Sequence, residues 1–206
     1  MTKVLTPLRI SILLGGALLG ALVLYKNLIL SPPPLPVLGT VPDFELDKAG
    51  GGKLASRDLQ GKVWIADFIF TRCSGICPLM TRKMRSLEGL FASDAGIRFV
   101  SFSVDPEFDT SEVLASYAEA HNARSGKWFF ATGDQNRIRE LSIQHFYLGV
   151  NDIPPGERTG PDQAIAHSSK FALIDGQSRI RGYYDAEDPE ALNRLVRDAR
   201  GLLGYR

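Results

Sequence analysis

At 206 residues the chain can bury one well-cored domain and carry a tail, but not two comfortable domains. Its 44% hydrophobic, 23% charged and 9% aromatic residues are those of an ordinary globular protein. The net charge of +1 is uneven: residues 1–42 hold Lys3, Arg9 and Lys26 and no acid, leaving 21 basic against 23 acidic residues, or −2, in 43–206, and this excludes the concentrated basic surface of a nucleic-acid binder.

Residues 10–25, ISILLGGALLGALVLY, form an uncharged run behind Lys3 and Arg9. A membrane span needs about 20 residues. The run reaches that length at Leu30 if Lys26 extends its ammonium to the interface. The rival is a signal-peptide core of roughly 7–15 residues. Leu19 stands where an A-x-A-like site before Gly20-Ala21 needs a small residue, which favours a retained N-terminal transmembrane helix. Either way the basic flank keeps the N-terminus cytoplasmic and exports the rest. The expectation is a single-pass protein of the inner (cytoplasmic) membrane with its soluble domain on the periplasmic side. SPPPLP, residues 31–36, reads as an extended polyproline spacer. The expected organisation is an anchor over 1–30, a linker over 31–42 and a folded domain over 43–206.

Within that domain, VPDFELDKAGGGKLASRDLQGK reads as a short strand, a glycine turn and an exposed run. KVWIADFIF (62–70) is nearly all apolar and β-branched, which suits a strand buried on both faces. Met80, Met84, Leu87 and Leu90 then fall on one side of a helix. IRFVSFSVD (97–105) predicts a second strand. A helix follows it, with Asp109 and Glu112 spaced as a capping-box variant. WFFATG is a third strand and 134–146 a helix. Residues 147–167 are rich in Pro and Gly and lack periodicity; a loop that long is often functional. KFALID and RIRGYYD, parted by GQS, predict a hairpin. Asp188-Pro189 caps a last helix. Strands alternating with helices imply a mainly parallel sheet covered on both faces, with the hairpin as an antiparallel edge.

Both cysteines of the chain lie in FTRCSGICPLMTRKM (70–84). They follow a buried strand, and Pro78 suits a first helical position. The thiols therefore stand near a helix N-terminus, where the dipole and free N–H groups favour anions such as thiolates; Arg72 and Arg82 add to the effect. A structural disulfide across so short a loop is a weak staple, because stabilisation grows with loop length. A redox pair and a metal site both remain. Thiolates select soft ions such as Cu(I), and a third ligand strengthens such a site. Of the three histidines, His121 ends a helix and His145 lies on a helical stripe. His167 ends the long loop just before KFALID. It reaches the cysteines only if that strand runs antiparallel to the first.

Four stretches resemble the Sco/SenC family, the copper proteins that assist assembly of cytochrome c oxidase. GKVWIADFIFTRCSGICPLM looks like its strand and C-x3-C-P signature. VSFSVDPEFDT is close to its S-V-D-P-x-x-D-T segment, WFFATG to its W-x-x-x-T-G strand and turn, and HSSKFALID to its histidine and following strand. They occur in family order over roughly 40–203. The resemblance implies an α/β thioredoxin-like fold, a central mixed sheet flanked by helices, behind a membrane anchor. It implies copper held by Cys73, Cys77 and His167, with Asp105 shaping the site from behind. The implied partners are the copper-bearing subunit of cytochrome c oxidase and another exported copper chaperone or thioredoxin-like reductant. A thiol–disulfide oxidoreductase acting on the oxidase's cysteines is the alternative. The chain departs from the family between its cysteines. Ser74-Gly75-Ile76 replaces the frequent Pro-Asp, and the missing acid should favour a lower cysteine pKa.

Overall fold

The structure, a computed structural model, describes residues 15–16, 18–21, 34–149 and 168–205 in full and the backbone of 150–152 and 165–167. The chain divides into two compact units, Met1–Pro34 and Leu35–Arg206. In the first, residues 15–16 and 18–21 are helical. The rest of the expected membrane span lies outside the described residues, among which no helix is long and apolar enough to cross a membrane.

The second unit is built on three parallel strands, β4 (Val63–Ile69), β5 (Ile97–Ser103) and β6 (Trp128–Thr132). All seven residues of β4 are buried, as its near-continuous apolar sequence requires for a central strand. On one side β4 pairs antiparallel with β9 (Lys170–Ile174), which pairs with β10 (Arg179–Asp185) and then β1 (Gly39–Thr40). On the other side β6 pairs with β2 (Glu45–Lys48), which forms a hairpin with β3 (Lys53–Ala55). The hairpin turns through Gly50, Gly51 and Gly52, all at positive φ, a region open to glycine at little cost. The run after that turn is not exposed. It is β3 and a 3-10 turn (Ser56–Leu59) that bury Leu54, Ala55 and Leu59.

Helix α1 (Cys77–Leu90) joins β4 to β5, and its Met80, Met84 and Leu87 enter the core. Helix α2 (Ser111–Ala120) joins β5 to β6. Its N-cap is Thr110, whose hydroxyl accepts the Val113 N–H, and not Asp109 as the spacing to Glu112 suggested. Helix α3 (Gln135–Glu140) passes into a π-helical turn (Leu141–His145) that ends at the buried Phe146. A small separate hairpin, β7 (Val150–Asp152) with β8 (Ile165–His167), occupies part of the long loop. Helix α4 (Pro189–Leu202), capped by Asp188 onto the Glu190 N–H, packs on β10.

Phe146 closes one face of the sheet. Its ring meets Trp64, Phe68 and Phe102 at centroid distances of 5.9, 5.2 and 5.7 Å. At the start of the unit, Arg181 donates to the carbonyls of Leu35 and Pro36, so the chain is tied to β10 before β1 begins.

Candidate functional site: the cysteine turn

β4 and β5 are in register and end together, Ile69 beside Ser103. Ligand-bearing loops gather at such carboxyl ends of parallel strands. The chain leaves β4 through a turn closed by the Cys73 N–H on the Phe70 carbonyl, 3.3 Å, and enters α1 at Cys77. Pro78 stands in the first turn of the helix, as expected.

The two cysteines are thiols and differ in setting: Cys73 is half-buried, Cys77 only 1% exposed. The Cys77 thiol is pushed far above the ordinary thiol range. Its hydrogen bond to Cys73 is the main cause and burial the next, with the charges of Cys73 and Asp67 acting the same way. Only the Phe70 N–H, 3.5 Å from Cys77 Sγ, opposes them. The helix N-terminus therefore does not make Cys77 a thiolate. The bond to Cys73 and burial together outweigh whatever the first-turn position of Cys77 contributes toward the anion. Cys77 keeps its proton and donates it toward Cys73, the outer sulfur. That polarity suits a nucleophile–partner pair, and two adjacent soft sulfurs also suit a soft metal ion.

Asp105 stands across the turn. It is 7% exposed, and its Oδ2 accepts from Arg72 Nε at 2.7 Å. Arg72 also lies 4.5 Å from the centre of the Phe108 ring. The residue next to Cys73 is thus engaged by the loop after β5 and does not simply supply a positive field.

His167 closes β8, its backbone opposite Val150; its side chain is not among those described. The condition set by the sequence is met: β9 runs antiparallel to β4, with Ala172 opposite Ala66 and Ile174 opposite Trp64. The start of β9 therefore points to the end of β4 from which the cysteine turn emerges. Among the described residues no group of three His, Cys, Asp or Glu side chains is gathered as a metal site. The other histidines are engaged elsewhere. His145 Nε2 is 3.6 Å from Glu140, and His121 lies against Tyr117, its pKa lowered by burial and by Arg82. Met80 and Met84 are fully buried core residues.

Three residues at the site carry roles that the sequence reading missed. Asp67 is a fully buried carboxylate on β4, on the face opposite Trp64 and Phe68. An acid within the apolar run VWIADFI is the signal that could have flagged it. Tyr117 shares a 2.8 Å hydrogen bond with Thr81, one helical turn beyond Cys77, and burial pushes its phenol up to about 12. Asp109 is fully buried and bonds Thr71.

The family model described as SCO1/SenC matches residues 36–202. The SCO1 protein homolog of Bacillus subtilis (strain 168) is 34% identical over 167 residues, covering 80% of this chain and 83% of the relative. Among solved structures, BsSco is described as a member of the Sco family of cytochrome c oxidase assembly proteins, in which a disulfide switch was identified. It superposes with a TM-score of 0.70 at 29% identity, covering 84% of this chain and all of that one. Arabidopsis thaliana ScoI, solved with copper bound, shares the fold: TM-score 0.64 at 21% identity, covering 80% and 99% of the two chains. The architecture of the second unit is accordingly the thioredoxin-like fold of these proteins, and by the match over residues 36–202 the chain belongs to the SCO1/SenC family.

Proposed function

We propose that this protein is a membrane-anchored copper carrier that helps assemble the dinuclear copper centre of cytochrome c oxidase. The cargo is held by the thiolates of Cys73 and Cys77 and the imidazole of His167, with Asp105 steadying the turn through Arg72. The observation that carries the reading is the contact between a half-buried and a buried thiol at a strand-to-helix turn. Soft thiolates prefer Cu(I), and an imidazole extends the set toward Cu(II). The antiparallel β9, which directs the chain after His167 toward this sheet end, supports the third ligand. The copper-bound Arabidopsis relative supports the metal. The anchor is the uncharged run of 10–25 behind Lys3 and Arg9, and the folded unit works on the exported side. Its partners are the oxidase subunit that receives copper and an exported copper donor or dithiol reductant.

Copper titration of the reduced protein tests this. One copper binds per chain, with Cu(II)–thiolate charge-transfer absorption. Ala at Cys73, Cys77 or His167 weakens binding sharply. Full copper retention by His167→Ala overturns the three-ligand set.

A second reading is favoured by one observation. The Cys77 S–H directed at Cys73 is the arrangement of a dithiol ready for exchange, and BsSco carries a disulfide switch. A thiol–disulfide reductase with negligible copper affinity, whose exchange survives His167→Ala, is the outcome that selects it.

A further inference from the structure

Asp109 is 0% exposed, yet it is a carboxylate. Burial pushes its pKa up, and hydrogen bonds from Ser103 and Thr71 pull against that. Burying such a group costs several kcal/mol unless donors compensate, and the donors here are specific. Asp109 Oδ2 accepts the Thr71 N–H at 3.0 Å and the Ser103 hydroxyl at 2.6 Å. Oδ1 accepts the Thr71 hydroxyl at 2.5 Å. Two of the three donors belong to one residue, and that residue lies two positions before Cys73. The remaining links return to the same turn. The Asp109 N–H donates to the Asp105 carbonyl at 2.9 Å, and Asp105 holds Arg72 at 2.7 Å. The Val104 N–H donates to the Ile69 carbonyl at 2.8 Å, so the 103–109 segment is bound to the end of β4 itself.

Helix capping does not account for this carboxylate, because Thr110 caps α2. Nor does it serve the apolar core, since its donors are polar groups at this end of the sheet: two on Thr71 in the cysteine turn and the Ser103 hydroxyl at the end of β5. What it fixes is the path from Phe70 to Cys73. We propose that Asp109 is a positioning residue for Cys73: through Thr71 it holds the cysteine turn so that the outer sulfur stays beside Cys77. The inference rests on the reading of Cys73 and Cys77 as the working pair. It explains how a glycine-containing loop, Ser74-Gly75-Ile76, can carry a defined pair of sulfurs: order is imposed from outside the loop. Preorganisation of this kind favours both steps open to the pair, closure of the disulfide and capture of an ion, because less freedom is lost in each.

The test is the dithiol–disulfide equilibrium of the full chain in detergent, against a glutathione buffer. In it Cys73-SH and Cys77-SH give their two electrons and two protons to one glutathione disulfide, which becomes two glutathione thiols. Thr71→Val removes one donor and keeps the shape. Asp109→Asn removes the charge. A scaffold role lowers the stability of the reduced and oxidised forms alike and leaves their ratio unchanged. A positioning role shifts the ratio toward the dithiol by about fivefold for the loss of one net hydrogen bond, and Thr71→Ser restores it. Ratios within twofold of wild type in Thr71→Val, with only the unfolding temperature lowered, overturn the proposal. Thr71→Val decides the matter even if Asp109→Asn does not fold. The readout contains no metal, so failure of the copper reading, seen as no copper bound by the wild type, is separate from failure of this one.

Discussion

Ala172 lies opposite Ala66, and Ile174 opposite Trp64, in an antiparallel pairing of β9 with the central strand β4. That pairing decides which end of the sheet the chain after His167 approaches. Run parallel, the same strand would start at the far end from the cysteines.

The two thiols should react unequally. Cys73 is half-buried, while Cys77 is 1% exposed with its thiol pKa raised by the bond to Cys73 and by burial. The thiolate is the reactive form. Brief alkylation of the reduced native protein at neutral pH, followed by peptide mass spectrometry, should label Cys73 more than ~10-fold faster than Cys77. Equal labelling would remove the assigned polarity of the pair.

The aromatic cap on the sheet is a stability element. Phe146 is fully buried against Trp64, Phe68 and Phe102. Phe146→Ala should cost about 3–5 kcal/mol in denaturant unfolding, the range for large core truncations. A loss below about 1 kcal/mol would show that the π-helical turn collapses to refill the space.

Gly182 is required by contact. A Cβ there would meet the Tyr184 side chain at 2.5–2.8 Å. Tyr184 is itself held by its hydroxyl on Asp198 at 2.8 Å. Gly182→Ala should therefore destabilise the protein by about 1–3 kcal/mol, as overpacking does, measured as a lowered urea midpoint. Gly182→Ala in a Tyr184→Phe background should recover part of this, because Phe removes the hydroxyl, the nearest obstacle at 2.5 Å, and its tether on Asp198, while the ring carbons at 2.8 Å remain.

Asp175 gives the acid limb a defined sign. Burial pushes its pKa up, but Arg181, the Arg179 N–H and side chain, and the Gln177 N–H together hold it below the usual carboxylate range. A depressed folded value means that the contribution is complete above the ordinary value of 3.8 and is lost as pH falls below it. Asp175→Asn should lower stability at pH 7 and flatten the decline below about pH 4. The same change should loosen residues 35–36, since Arg181 bonds both Asp175 and their carbonyls. Hydrogen exchange at Leu38, whose N–H is bound to the Ile180 carbonyl, reports this.

Much of the fold was legible because local rules and tertiary packing agree. KVWIADFIF is apolar on both faces and becomes the fully buried β4. Pro78 and Asp188 mark helix starts because a missing N–H and a side-chain acceptor have local effects. Where the reading failed, a long-range partner had intervened. Asp109 has the spacing of a cap, but Thr71, 38 residues earlier, claims its carboxylate. The segment after Gly52 is polar enough to look exposed, but pairing with β2 buries Leu54 and the 3-10 turn that follows buries Leu59.

Alone, the sequence determined the chemistry on offer: two thiols in one short loop, a buried strand before them, a helix after them and a distant histidine. Those are properties of residue type and near spacing. The tertiary structure decided what the loop's sulfurs are. The bond to Cys73 and burial push the Cys77 thiol up against the single opposing Phe70 N–H, and the half-buried Cys73 becomes the outer partner. It also decided the direction of β9 and the grip of Asp109 on the cysteine turn. Each depends on groups brought together across tens of residues, which no local pattern encodes.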